Sequence, residues 1–277
     1  MPAASDVRLV VFDWAGTTID YGCVAPFGAF VGVFASRGVE VTAAEARGPM
    51  GLHKKDHLRE MLRLPAVAAR WREAHGRDWA EADVDALYAA VTPAQLAAIE
   101  PSAGLIPGVL DAVAALRGRG IKVGGTTGYF RAAAELCYAA AARQGYAPDA
   151  CVCADDVPAG RPAPWMMFRV MELTGVYPAA AVVKVGDTVA DVEEGLNAGT
   201  WCVGVTDTGN EVGLTEAEFA ALPAAERERR RAAARERLLA AGAHAVIGSV
   251  AGVLAVVEDI NRRLRAGERP EDFGTEE

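Results

Sequence analysis

Apolar and polar positions follow two rhythms along the chain, and the change between them divides it. Residues 9–12, LVVF, form a short apolar run of the kind that fills a buried strand. The run ends on Asp13, and a Gly-Thr-Thr turn follows. Between 26 and 99 the apolar positions recur at helical spacing, which predicts helices over 26–37, 56–64, 66–75 and 83–99. Thr42 caps a further helix there, with Glu45 three residues on as a capping box. No convincing strand pattern appears before 121. From 109 onward helix and strand alternate: helices over 109–117, 131–144, 164–174 and 189–197, strands over 121–123, 150–154, 180–185 and 201–205. Such alternation predicts parallel β-α units with helices on both faces. The expected fold is α/β: a Rossmann-like parallel-sheet core, residues 1–20 and 101–277, with an all-helical cap domain inserted at 21–100. The Pro- and Gly-rich run PSAGLIPG at 101–108 marks the return to the core. At the far end, 216–239 reads as a helix with a solvated charged face, 245–247 as a last edge strand and 250–264 as a helix. RAGERPEDFGTEE reads as a frayed terminus.

The 277 residues suffice for one large core and a smaller second unit, and 52% hydrophobic with 23% charged residues is ordinary for a soluble globular chain. A net charge of −9 argues against nucleic acid and anionic membranes as partners, yet allows an anionic substrate in a locally positive pocket. No apolar run approaches a membrane span, and MPAASDVRLV lacks a basic segment followed by a long apolar one, so the expected location is cytoplasmic. The five cysteines are scattered, and Cys151-x-Cys153 has no second pair at zinc-site spacing, so core thiols are expected.

The strands run into polar residues: Asp13, Thr126-Thr127, Asp155-Asp156, Asp187 and Thr206-Asp207. Polar groups thus collect on the sheet edge where open α/β folds bind ligands. Asp13 in DWAGTT is a candidate nucleophile towards phosphorus, with glycine and two hydroxyls shaping an anion cradle; the plain alternative is a capped strand-to-helix turn. Asp187 closes another strand and Asp191 lies one helical turn beyond. Beside Asp13 these are hard oxygen donors suited to Mg²⁺, Asp187 as ligand and Asp191 behind it as an orienting group; alternatively Asp187 or Thr188 merely caps the helix. GGTTGY at 124–129 can cradle phosphate at a helix N-terminus. Arg161, set between prolines in DDVPAGRPAP, can grip phosphate oxygens through two hydrogen bonds.

These four motifs, in this order, resemble the haloacid dehalogenase-like phosphotransferases. Phosphatases of that superfamily carry a second aspartate two residues after the nucleophile to protonate an alcohol leaving group, and here that position is Ala15. The insert offers a different solution. Among only four lysines in the chain (Lys54, Lys55, Lys122 and Lys184), two adjoin in PMGLHKKDH. A neutral amine can condense with an aldehyde, and the protonated imine withdraws electrons from the neighbouring carbon, making a P–C bond breakable. With FDWAGTTIDYGC, RGPMGLHKKDH, TTGY, DDVPAGRPAPWM and KVGDTVAD taken together, the chain resembles the phosphonoacetaldehyde hydrolases (phosphonatases) over nearly its full length.

That resemblance implies hydrolysis of phosphonoacetaldehyde to acetaldehyde and phosphate. It makes Lys54 the imine-forming amine and Asp13 the nucleophile, although the residues alone do not choose between Lys54 and Lys55. Asp13, Asp187 and the Ala15 carbonyl are then Mg²⁺ ligands, and Thr127, Gly128 and Arg161 hold the phosphonate. Cys23, Met50, His57 and Tyr129 become pocket-wall or proton-relay residues. Lys55 is expected to be solvated, while its charge, or burial, lowers the pKa of Lys54. His53, His75 and His244 are expected to be structural or exposed. The family implies a homodimer through the cap, for which the stripe Phe27, Phe30, Val31 and Phe34 is a candidate, cap core being the other reading. Alternatives are a haloacid dehalogenase-like phosphatase or phosphomutase for a small organic phosphate, and a non-catalytic anion-binding module.

Overall fold

A computed structural model describes residues 5–272. Six strands form one wholly parallel sheet: β1 (Leu9–Phe12), β2 (Lys122–Thr127), β3 (Ala150–Cys153), β4 (Val182–Gly186), β5 (Trp201–Val205) and β6 (Ala245–Ile247). Their order is β3-β2-β1-β4-β5-β6. β1 is buried at every position, as a central strand covered on both faces must be. Its register is unbroken on both sides, Leu9 facing Lys122 and Val182.

Five helices are inserted after β1: α1 (Val24–Ala35), α2 (Ala43–Arg47), α3 (Lys54–Arg63), α4 (Pro65–His75) and α5 (Glu81–Ser102). They enclose their own core, in which Phe30, Phe34, Leu58, Leu62 and Trp71 are buried. Thr42 and Glu45 form the expected capping box, and Pro65 opens α4 at the position where a missing N–H costs nothing. The stripe on α1 divides: Phe30 and Phe34 join the cap core, while Phe27 and Val31 stay half-buried with the Arg47 guanidinium over the Phe27 ring. The two connections between cap and core run side by side. Ile106 N donates to Thr18 O at 2.9 Å and Asp20 N to Gly104 O at 3.2 Å.

The remaining helices are α6 (Val109–Gly118), α7 (Arg131–Arg143), α8 (Trp165–Thr174), α9 (Val189–Asn197), α10 (Glu216–Ala221), α11 (Ala224–Ala240) and α12 (Val253–Ala266). Three expectations need correction. β2 continues through Thr127 instead of ending near 123, its second half pairing with β3, and glycine at 124 and 125 leaves space for Val170 and Trp14 where a Cβ would overlap them. The charged helix over 216–239 is two helices, since Pro223 forces Leu222 into an extended conformation. The described part of the C-terminal run is ordered at Pro270–Asp272, where the Pro270 carbonyl meets His244 Nε2 at 2.9 Å; residues 273–277 of that run lie outside the described residues. All five cysteines are free, and no described helix is long and apolar enough to cross a membrane.

Candidate active site

Asp13 follows β1, Thr127 closes β2 and Asp187 follows β4, and these strands are adjacent. Three residues remote in sequence therefore meet where the chain's winding reverses direction, at the carboxyl edge of the sheet. A cavity of 20 Å³ separates this edge from the cap, room for about one water. Asp13, Ala15, Thr127, Gly128, Tyr129 and Arg161 form its core wall, and Cys23, Met50 and Lys54 its cap wall. Of the residues singled out from the sequence, Asp187, Asp191 and His57 are not in that wall.

The core wall is a dense ionic network. Arg161 donates from Nη2 to Asp13 Oδ1 at 2.7 Å and from Nε to Glu194 Oε2 at 2.9 Å, and its Nη1 stands 3.0 Å from Asp191 Oδ1. Lys184 Nζ lies 2.9 Å from Asp191 Oδ1, 3.0 Å from Glu194 Oε2 and donates to Thr126 Oγ1 at 2.7 Å. Burial works hardest against the Arg161 charge, yet Asp191, Asp13 and Glu194 together raise its pKa well above the ordinary value. For Asp13 burial is the largest cause and the Asp191 charge the next, and they lift its carboxyl to about 6 against Arg161 and Lys184. Lys184 and Glu194 are not among the candidates that the motifs supply, and Thr126 is among them only as part of the strand end GGTTGY. The signal was present for Lys184, a lone cation inside the apolar strand VVKVG, and for Glu194, three residues after Asp191 on one helix face.

Asp187 is fully buried and accepts from Thr17 Oγ1 at 2.9 Å and from Asn210 N at 2.7 Å. No cation lies within 4 Å of it among the described residues. Burial, then Asp13 and Asp191, push its pKa well up. Carboxylate oxygens of Asp13, Asp187 and Asp191 lie within 4.8 Å of one another. Two cations thus face four buried carboxylates, an imbalance that a divalent cation with a taste for hard oxygen donors would correct. Asp191 is already committed, with Oδ1 beside Arg161 and Lys184 and Oδ2 accepting from Thr188 Oγ1 at 2.5 Å. Asp13 has a single cation partner, and Asp187 is held only by neutral donors, Thr17, Asn210 N and the Cys23 thiol, so the charge of both is left for a metal to balance. Gly16, at φ +86°, bends the backbone against Asp187 and Cys23 where a Cβ would collide. The Cys23 thiol donates to the Ala15 carbonyl at 3.1 Å; burial and the Asp187 charge raise its pKa well above the thiol norm.

The cap wall is built oppositely. Lys54 is the first residue of α3 and only 4% exposed. No carboxylate lies within 4 Å of its Nζ among the described residues. Its neighbours are aromatic faces, Tyr129 at 4.7 Å and Phe30 at 5.7 Å from ring centre to Nζ. Burial brings its pKa down to about 8, and the positive end of the α3 dipole acts in the same direction. Lys55 plays no part in this: it points outward and pairs with Asp85. Of the two expected causes, burial or the Lys55 charge, it is burial that lowers the pKa of Lys54. His57 is not a wall residue. Its ring stacks on Phe30 with centroids 3.7 Å apart, and Nε2 lies 2.9 Å from the Ala46 carbonyl. Nδ1 is left without a partner. His53 is neither free nor simply exposed. It caps α3 and stands 3.3 Å from Asp155 of the core. Cap and core touch through glycine: a Cβ on Gly51 would overlap Thr188 Oγ1, and one on Gly128 would overlap the Gly51 carbonyl.

A sheet wound in this order, with an aspartate after β1, a second after β4 and a helical insert between, defines a class of phosphoryl-transfer protein. The model of the haloacid dehalogenase-like hydrolases matches residues 7–199, and the chain belongs to that family. Over 97% of both chains it is 48% identical to the phosphonoacetaldehyde hydrolase of Syntrophobacter fumaroxidans. It is 50% identical, again over 97% of both, to a phosphonoacetaldehyde hydrolase-like protein of the same organism. The solved structure of a phosphonoacetaldehyde hydrolase like protein from Oleispira antarctica superposes with a TM-score of 0.95 at 43% identity, covering 98% of each chain. The resemblance seen in the motifs is borne out at this level, and the chain is an enzyme of the phosphonoacetaldehyde hydrolase group.

Proposed function

We propose that the protein hydrolyses the P–C bond of phosphonoacetaldehyde through an imine on Lys54 and an aspartyl phosphate on Asp13. The observation that carries this reading is the shared cavity: it is lined both by Asp13 and by a buried Lys54 amine that has no carboxylate within 4 Å among the described residues. Ala15 argues the same way, because an enamine leaving group needs no general acid at that position.

In this reading the cap opens to admit substrate, since the closed cavity is too small for it. The neutral Lys54 amine adds to the aldehyde and water leaves, giving the imine. Arg161 transfers its Nη grip from Asp13 to the phosphonate, with Glu194 retaining its Nε, while Thr127 and Gly128 hold the remaining oxygens. Asp13 attacks phosphorus, the P–C bond breaks and its electron pair passes into the enamine. Water then cleaves the aspartyl phosphate. The enamine takes a proton on carbon, and hydrolysis of the resulting imine releases acetaldehyde and restores Lys54. A magnesium ion held by Asp13, Asp187 and the Ala15 carbonyl supplies neutralisation of the charge on the transferring group when bound. Cys23, Met50 and Tyr129 shape the wall, and Asp191 orients Arg161 and Lys184.

Borohydride reduction in the presence of phosphonoacetaldehyde, followed by peptide mapping, tests the reading. A two-carbon adduct on Lys54 is expected. Label on Lys55 would move the site. No label, with phosphate still released from a small organic phosphate ester, would establish the phosphatase alternative.

A further inference from the structure

His53 does two things at once. Its Nδ1 accepts from Lys55 N at 3.3 Å, capping α3. Its Nε2 stands 3.3 Å from Asp155 Oδ1, across the seam in the core. Histidine is not among the preferred N-caps, which are Ser, Thr, Asp and Asn. Those residues have no second polar group able to reach across. A neutral ring protonated on Nε2 satisfies both partners, one nitrogen accepting and the other donating. Burial, the largest influence, lowers the pKa of this ring and favours that neutral form, although Asp155 opposes it.

Asp155 is itself anchored. Its Oδ2 accepts from Arg131 N at 2.9 Å, at the start of α7. The residues just before α7 are Thr127, Gly128 and Tyr129, which form the core wall of the cavity. His53 also packs beside the loop before Arg161: a Cβ on Gly160 would be 3.5 Å from the His53 Cβ. A continuous path therefore runs from the helix that presents Lys54, through His53 and Asp155, to the loop that faces the phosphorus side of the cavity.

We propose that His53 is a positioning residue that latches the closed cap to the core through Asp155, so that closure and placement of the Lys54 amine occur together. The functional meaning of the latch rests on the imine reading above, but the contact itself is tested without substrate. His53 imidazole can be split into its two tasks. In His53→Asn the amide oxygen sits near the position of Nδ1 and keeps the helix cap. In His53→Gln the amide nitrogen sits near the position of Nε2 and keeps the reach to Asp155.

The test is hydrogen–deuterium exchange on the full chain, read at the core-side amides of 127–130, leaving out the Arg131 amide that Asp155 itself holds, with kcat and KM for phosphonoacetaldehyde measured alongside. Loss of the cap alone would disturb α3 but not those core amides. His53→Ala and Asp155→Ala are each expected to speed exchange there about tenfold, the scale of one charge-assisted hydrogen bond, and the double variant no further. His53→Gln should stay near wild type and His53→Asn should behave like His53→Ala. kcat/KM should fall about tenfold in the variants that lose the reach. The proposal is overturned if His53→Asn is normal while His53→Gln fails, if the two alanine effects add, or if the core amides do not respond. Altered exchange in these variants, with no borohydride adduct on Lys54 in the wild type, would uphold the latch and sink the imine reading separately.

Discussion

The two walls of the cavity each bury a lysine, and the two are used in opposite ways. Lys184 on the core side has two carboxylates and a hydroxyl within 3.0 Å. Lys54 on the cap side has aromatic faces beside its amine and, among the described residues, no carboxylate within 4 Å. One is a charge that holds other charges in place. The other is a charge made expensive, so that the neutral amine is within reach near physiological pH. The chemistry of a buried lysine is thus set by what it is buried against and not by burial itself.

The same substitution at both sites gives the sharpest contrast. Lys54→Met should lower kcat/KM by at least ~10⁴, the scale seen when a covalent catalyst is removed. It should also stabilise the fold. Holding the amine at about 8 instead of 10.5 costs the native state about 3 kcal/mol near neutral pH. That cost is full below pH 8 and vanishes as the pH rises through the unfolded value, so wild-type stability increases over that interval and the advantage of the variant disappears. Denaturant midpoints at pH 7 and pH 10.5 measure both statements. A Lys54→Met protein no more stable than wild type at pH 7 would show that the amine is not strained.

Lys184→Met should do the reverse and destabilise by about 3–5 kcal/mol, because Asp191 and Glu194 remain buried with one cation fewer. A stable Lys184→Met protein would erase the distinction between the walls. Next in size is Gly51→Ala, which places a methyl group into Thr188 at φ +93° and props the seam open. A loss of about 10² in kcat/KM is expected from misplacement of the amine, with the adduct yield falling in parallel. The smallest effect is on pH. The rate of adduct formation on Lys54 should rise about tenfold per pH unit up to about 8 and level off above it, as the neutral amine becomes the major form. A flat profile from pH 6 to 9 would mean that addition of the amine does not limit trapping.

Much of this was legible in the chain. The apolar runs ending in Asp13 and Asp187, the helical period of the insert and the Thr42–Glu45 box are local patterns, and the structure has each of them. Lys54 and Asp13 stood out because rare residue types sat in motif context. The misses share a cause. Glu194 and Thr126 matter through contacts made between β2, β4 and α9, and no local spacing encodes which strands lie side by side. His53 looked like any exposed histidine until Asp155 arrived from another strand. His57 sat at a promising spacing from Lys54, yet helix geometry turned its ring into the cap core.

By itself, then, the sequence determined where the chain is strand or helix, where its apolar surface lies and which reactive side chains are available, since these depend on neighbours a few residues away. Only the tertiary structure decided that Lys54 has no counter-ion within 4 Å among the described residues while Lys184 has two, and that His53 meets Asp155. The field at a side chain comes from groups within a few ångströms in space, and folding alone chooses which groups those are.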